Sequence, residues 1–188
     1  MQYSAIRWAT LVVAVFLFGV RAKADAALSP CEAFCHDWFG SSAHLRPMAL
    51  AETNTVVSEV TLGGQTYGWI FRTDQVPPTC KGKRGEIALA VALGTDGRIK
   101  GLHVLCHKED APYFKRLNAS FFQQFQNQRA DAGTAKIDAV TRATLSSNAI
   151  IRDVMEGAKH VIALPEVSIK IKSAQDCSLT KTAAMFHN

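Results

Sequence analysis

GEIALAVALGTDGRIKGLHVLCHKE, residues 85–109, is the stretch that decides the fold. Along 86–93 the side chains alternate, with Ile87, Leu89, Val91 and Leu93 on one face and Ala88, Ala90 and Ala92 on the other. A repeat of two is the strand period. Bulk on one side and alanine on the other predicts a strand buried on both faces, with something packed closely over the alanines. Thr95-Asp96-Gly97-Arg98 has turn chemistry, and 99–107 (IKGLHVLCH) returns as the antiparallel partner.

The same periods extend the sheet outward. Residues 65–73 (QTYGWIFRT) place Tyr67, Trp69 and Phe71 on one face, and Gly63-Gly64 turns that strand back onto 54–61. Residues 74–85 carry two prolines and two glycines and read as a loop. Beyond the hairpin, Phe114, Leu117, Phe121 and Phe125 recur at three- and four-residue spacing, which predicts one amphipathic helix over 111–127. Ile150, Val154 and Ala158 predict another over 145–160. Ser29-Pro30 opens a short helix over 30–38. After Pro165 the run VSIKIK, 167–172, alternates and reads as a last strand with one wet face. The fold class is α+β: a single domain with a twisted, mainly antiparallel sheet of about five strands and helices packed against it.

The N-terminus sets the compartment. Arg7 precedes the apolar run Trp8 to Val20, followed by Ala22-Lys23-Ala24. Thirteen residues fall short of the roughly 20 that span a bilayer core, and the small-x-small pattern matches a secretory cleavage site. The expectation is a signal peptide over 1–24; a retained N-terminal anchor is the alternative. Removing Arg7, Arg21 and Lys23 would lower the formal charge from +5 to +2, so the basicity gives no argument for nucleic acid. No second apolar run of membrane length follows, so the mature chain is not expected to span a membrane. The remaining divisions are a Cys-containing helical segment over 25–53, the main domain over 54–175 and a C-terminal tail over 176–188.

DAVTRATLSS, 138–147, enters the second helix with several hydroxyls and an Ala-Thr pair. On local physics alone this is a Ser or Thr cap. Helix starts also attract phosphate, because their first N–H groups lack intrahelical acceptors. DAVTRATLSSNAI resembles the signature of the FMN-binding domain family: Asp, two variable residues, Ser or Thr, usually Gly, then Ala-Thr. That family includes flavin-bearing subunits of sodium-pumping NADH:quinone reductases and Rnf-type complexes, and exported domains of nitrous-oxide-reductase regulators. The paired strands of 85–109, ending in His107-Lys108-Glu109, and GQTYGWIFRT before them are similar to the same family. The likeness covers about residues 55–160.

The resemblance implies FMN held by a phosphoester on Thr144 and installed by a flavin transferase. Asp138, Thr141, Arg142 and Ala143 fill the preceding signature positions, and Leu145, Ser146 and Ser147 the following ones. Arg142 replaces the usual glycine, where it could obstruct the transferase or supply a cation beside the phosphate. His107 and Glu109 are candidate cofactor contacts. A glycine-rich turn that many members carry after His-x-Glu is missing here. The implied protein is exported, periplasmic or otherwise extracytoplasmic, and carries electrons between extracytoplasmic or membrane redox proteins. No nucleophile–base constellation stands out, so an electron carrier or redox subunit is expected rather than a stand-alone enzyme. The alternative is a redox-sensing or binding module with loose or no flavin.

Cysteines give a further alternative. CEAFCH resembles a three-spacer c-type haem attachment, with Cys31 and Cys35 as thioether donors and His36 as iron ligand. Disulfides or free thiols beside a short helix are the plainer reading. No metal site is expected, and the spacing of five cysteines fixes no disulfide partners.

Overall fold

The computed structural model describes residues 31, 34–48, 56–131 and 137–185, with side chains described as far as residue 175. The expected signal peptide lies outside the described residues. Among them, no helix is long and apolar enough to cross a membrane.

Five antiparallel strands form a meander in sequence order: β1 (His44–Met48), β2 (Val57–Leu62), β3 (Gln65–Arg72), β4 (Ile87–Gly94) and β5 (Ile99–His107). The deciding stretch folds as its periods require. All eight residues of β4 are buried, and Ile87 pairs with His107 at the open end of the β4–β5 hairpin. Ile87, Leu89, Val91 and Leu93 enter the large core together with Trp69 and Phe71. Tyr67, on the same strand as that aromatic pair, is 48 % exposed because it lies near the β2–β3 turn.

Ala90 and Ala92 belong to a smaller core on the opposite face, with Cys31, Cys35, Val60 and Ile70. The element laid over them is helix α1, residues 34–39. Its Phe34 ring stacks on His103 with centroids 3.5 Å apart. A Cβ built on Gly101 would come within 2.2 Å of Trp38 Nε1, so this glycine lets the indole lie against the strand. The closely packed partner expected over the alanines is this helix.

The large core is closed by α2 (Ala111–Phe114), α3 (Ala119–Gln123), α4 (Thr144–Ala163) and α5 (Pro165–Met185). Ile150, Val154, Ala158 and Val161 of α4 are fully buried. Gly157 lets the helix approach the sheet, since a Cβ there would meet the Phe71 ring at 3.0 Å.

Two expectations are corrected. Residues 167–172 are helical, within α5, and not a strand. Val167 and Ile171 are buried one turn apart while Ile169 is 68 % exposed, so the helical period prevails over the alternation. The fifth strand is instead β1, which lies inside the segment 25–53 and joins the same sheet. The helix over 111–127 is two short helices. Asn118 starts the second by accepting the Phe121 N–H on its side chain, which breaks the run after Phe114. The helix α5 runs without interruption from Pro165 to Met185.

Candidate functional site

A cleft of about 270 Å³ opens at the start of α4. Its walls are Lys83 from the loop after β3, Glu109 and Asp110 from the end of the β4–β5 hairpin, Tyr113 from α2, and residues 142–146. The signature and the His-Lys-Glu strand end, far apart in sequence, meet here.

The turn into α4 has unusual local physics. Ala143 N–H donates to the Val140 carbonyl at 3.0 Å, closing a turn whose third residue, Arg142, has φ +66°. This is the left-handed region that glycine enters freely and other residues enter at a cost of roughly 1–2 kcal/mol. Ala143 is the N-cap and its side chain makes no capping bond. The hydroxyl that fastens the turn is Ser147, fully buried, which accepts the Val140 N–H at 3.1 Å and donates to the Thr144 carbonyl at 3.2 Å. Thr144 is the first helical residue. It is exposed, and its hydroxyl donates only to the Val140 carbonyl, at 3.4 Å. Thr144 is therefore not a cap, contrary to the simplest sequence reading.

Glu109 is 7 % exposed. Its Oε2 accepts the Ser146 hydroxyl, and its Oε1 accepts the Arg84 N–H at 2.7 Å. Burial alone would raise its pKa. The hydrogen bonds from Ser146 and from the backbone of Arg84, Lys83 and Gly85 outweigh burial and hold the carboxyl below the usual range. A Cβ on Gly82 would come within 2.8 Å of Glu109 Oε1, so only glycine lets the loop wrap the carboxylate this closely. Two turns along α4, Asp153 is 2 % exposed and accepts the Cys80 N–H at 2.5 Å. Burial dominates there and raises its pKa, against the hydrogen bonds from Cys80. The loop 74–85 is thus tied to α4 at two points.

Both cleft carboxylates are committed, because Asp110 pairs with Arg84 at 3.1 Å. The cleft cations are not. Among the described residues Arg142 makes no ion pair, and the Lys83 ammonium sits 5.0 Å from the Tyr113 ring centroid. Sequence reasoning missed Lys83, Asp110 and Tyr113. The wrapping of Glu109 by the loop brings Lys83 in, and only the two glycines of 82–85 hinted at that close approach.

The other candidates are distributed around the cleft. Glu109, Arg142, Ala143, Thr144, Leu145 and Ser146 line it, and Ser147 lies beneath it. Asp138 and Thr141 are exposed and outside the lining; the Asp138 main chain pairs with the Gln124 side chain, N–H to Oε1 at 2.8 Å. His107 is exposed, also outside the lining, and stacks on Phe114 with centroids 3.5 Å apart.

The haem alternative is not supported. Cys31 and Cys35 are 2 % and 1 % exposed inside the small core, whereas His36 is exposed. Burial raises the Cys31 thiol to about 11, against the lowering effect of Arg72. Two thiols turned inward and a histidine turned outward give a porphyrin no common face. Cys31, Cys80 and Cys106 are free thiols. The Cys177 side chain lies outside those described. Among the described residues no group of three or more His, Cys, Asp or Glu could hold a metal ion.

The similarities to known proteins fall on this region. Residues 82–159, from the loop that carries Lys83 to most of α4, match the FMN-binding domain family. The chain is also 32 % identical over 108 residues to a component of the proton-translocating ferredoxin:NAD(+) oxidoreductase complex of Clostridium ljungdahlii. That alignment covers 53 % of this chain and 56 % of the relative, so the chain spans a little over half the length of the curated relative it matches. The segment that builds the cleft, residues 82–159, belongs to the FMN-binding domain family.

Proposed function

We propose that this protein is an exported flavoprotein that passes electrons through FMN esterified to Thr144 Oγ1. The observation that carries the reading is the Thr144 hydroxyl itself. It is exposed in the cleft, has no capping task, and opens a 20-residue helix. The donor set fits a phosphate. The first N–H groups of α4 have no intrahelical acceptor, and the Arg142 guanidinium beside them is unpaired among the described residues.

When bound, FMN supplies reversible acceptance and release of electrons. The chain's own residues do the rest. Ser147 and the Val140–Ala143 turn hold the first turn of α4 in place. Glu109 fixes Ser146 and the 83–85 backbone on the opposite wall. Tethering keeps the cofactor in place in a compartment where free flavin would be lost. A flavin transferase is the proposed maturation partner, and membrane redox proteins are the proposed electron partners. The proposed flavin-bearing unit is larger than 82–159, because β2 and β3 are continuous with the sheet that supports the cleft.

The test is in-gel fluorescence after denaturation of protein matured with a flavin transferase in an exporting host. Wild type should fluoresce yellow-green and Thr144→Ala should not, with both chains folded. Fluorescence retained by Thr144→Ala, or an intact mass of bare polypeptide for matured wild type, refutes the proposal.

A further inference from the structure

The cleft mouth carries an apolar pair inside a cationic rim. Of four exposed large hydrophobic residues among those described, two, Tyr113 at 42 % and Leu145 at 65 %, line the cleft. Around them lie Lys83, Arg142 and Lys108, all exposed and none in an ion pair among the described residues. Lys108, the neighbour of Glu109 in sequence, packs along Gly85, where a Cβ would meet its Cδ at 3.4 Å. Arg46, Arg72 and Arg129, by contrast, are paired with Glu59, Asp74 and Asp131. Asp110 of the cleft lining is already engaged by Arg84.

An apolar centre bordered by uncompensated charge is the anatomy of a transient protein interface, in which the charge governs encounter rate and orientation. We infer that this face docks an acidic electron-carrier protein, its carboxylates meeting Lys83 and Lys108 while Tyr113 and Leu145 make the dry contact. The inference rests on the flavin reading for its electron-transfer role, but the charge complementarity stands on the chain alone.

Two arms keep the outcomes separate. In the first, full-length Thr144→Ala protein, which carries no flavin under the proposal above, is titrated with polyglutamate while backbone amide resonances are followed. Shifts should concentrate in 81–86, 108–116 and 142–146, vanish at high ionic strength, and weaken about tenfold or more in the added Lys83→Glu/Lys108→Glu background. Absent shifts, or shifts centred on the lysines of α5, overturn the inference. Binding to anionic lipid vesicles with no response to polyglutamate assigns the face to a membrane and also overturns it.

In the second arm the flavin of matured wild type is photoreduced with a tertiary amine as sacrificial electron donor and reoxidised by ferricyanide, an anion, or by hexaammineruthenium(III), a cation. Each reduced flavin gives one electron to each of two oxidant ions and releases its protons to solvent. At low salt the ferricyanide rate should fall as ionic strength rises, and the ruthenium rate should rise. Lys108→Glu, which lies outside the cleft, should slow ferricyanide and speed ruthenium with flavin content per chain unchanged. Rates independent of salt and of this substitution refute the docking surface while leaving the flavin assignment intact. A positive first arm with no covalent flavin in matured wild type refutes the flavin assignment and leaves the surface standing.

Discussion

Arg142 occupies a backbone conformation suited to glycine, and two substitutions separate its backbone from its charge. At φ +66° a side chain costs roughly 1–2 kcal/mol. Glycine removes that strain but frees the unfolded chain, which returns about 0.5–1 kcal/mol. The guanidinium is exposed and unpaired among the described residues, so losing it costs less than about 0.5 kcal/mol. Arg142→Gly should therefore stabilise the unloaded protein by about 0.5–1 kcal/mol, whereas Arg142→Ala keeps the Cβ and should stay within about 0.5 kcal/mol of wild type. The assay is urea unfolding followed by tryptophan fluorescence, in which the midpoint should rise for glycine alone at constant slope. The cation has its own readout: covalent flavin incorporation should fall alike in both variants. An alanine variant as stable as the glycine variant refutes the strain argument, and undiminished loading in both refutes the phosphate role of the guanidinium.

Glu59 is fully buried and bonded to Arg46, Lys170 and Thr66, and these bonds overcome burial to lower its pKa from 4.5 to about 2. A depressed carboxyl stabilises above the unfolded value and loses that contribution as pH falls, so wild type should lose about 3 kcal/mol between about pH 4.5 and 2 that Glu59→Gln does not, measured by urea midpoints across that window. Gly101→Ala should lift α1 from the sheet through the Trp38 contact, costing about 1–3 kcal/mol and shifting tryptophan emission to the red. Glu109→Gln puts an N–H₂ where hydrogens already converge and should cost about 1–3 kcal/mol, with faster amide exchange over 83–85. Asp153→Asn keeps the acceptor for Cys80 N–H. Because its raised pKa means that ionised Asp153 costs stability as pH rises, this variant should be neutral or stabilising at pH 7, by the same urea assay.

The β2–β5 meander was legible because its information is local. Period-two runs meet at turn residues, and Ile87 to Leu93 can satisfy only one arrangement. The alanine face also announced a closely packed partner, which is α1. Helix α5 was misread because VSIKIK fits both periods. What decides is burial of Val167 and Ile171 on one face, with Lys170 reaching Glu59 across more than a hundred residues of chain. Strand β1 was missed because HLRPM has no alternation and contains a proline; an edge strand tolerates both. In the cleft, Thr144 and Arg142 were legible from the signature. Lys83 was not, since its position follows from a loop whose shape depends on two distant carboxylates, and Tyr113 was not, since it sits on the short helix α2.

Those carboxylates explain how an irregular segment can form half of a binding wall. The loop 74–85 supplies almost no regular pairing of its own; Lys81 makes a single bridge to Glu86. Its backbone amides are taken up instead by Asp153 at Cys80 and by Glu109 at Arg84. Asp153 projects directly from α4, and Glu109 is bonded to Ser146 on the same helix, two turns closer to the cleft. The loop is therefore referenced to α4 and not to the strands it connects. Glu109, at the end of the β4–β5 hairpin, bonds both Ser146 and the Arg84 N–H, so one side chain sets the spacing between the helix start and the loop that carries Lys83. A hydroxyl at the first residue of that helix is then held in constant relation to both walls without bearing any of the bonds that hold them, which leaves it free for chemistry.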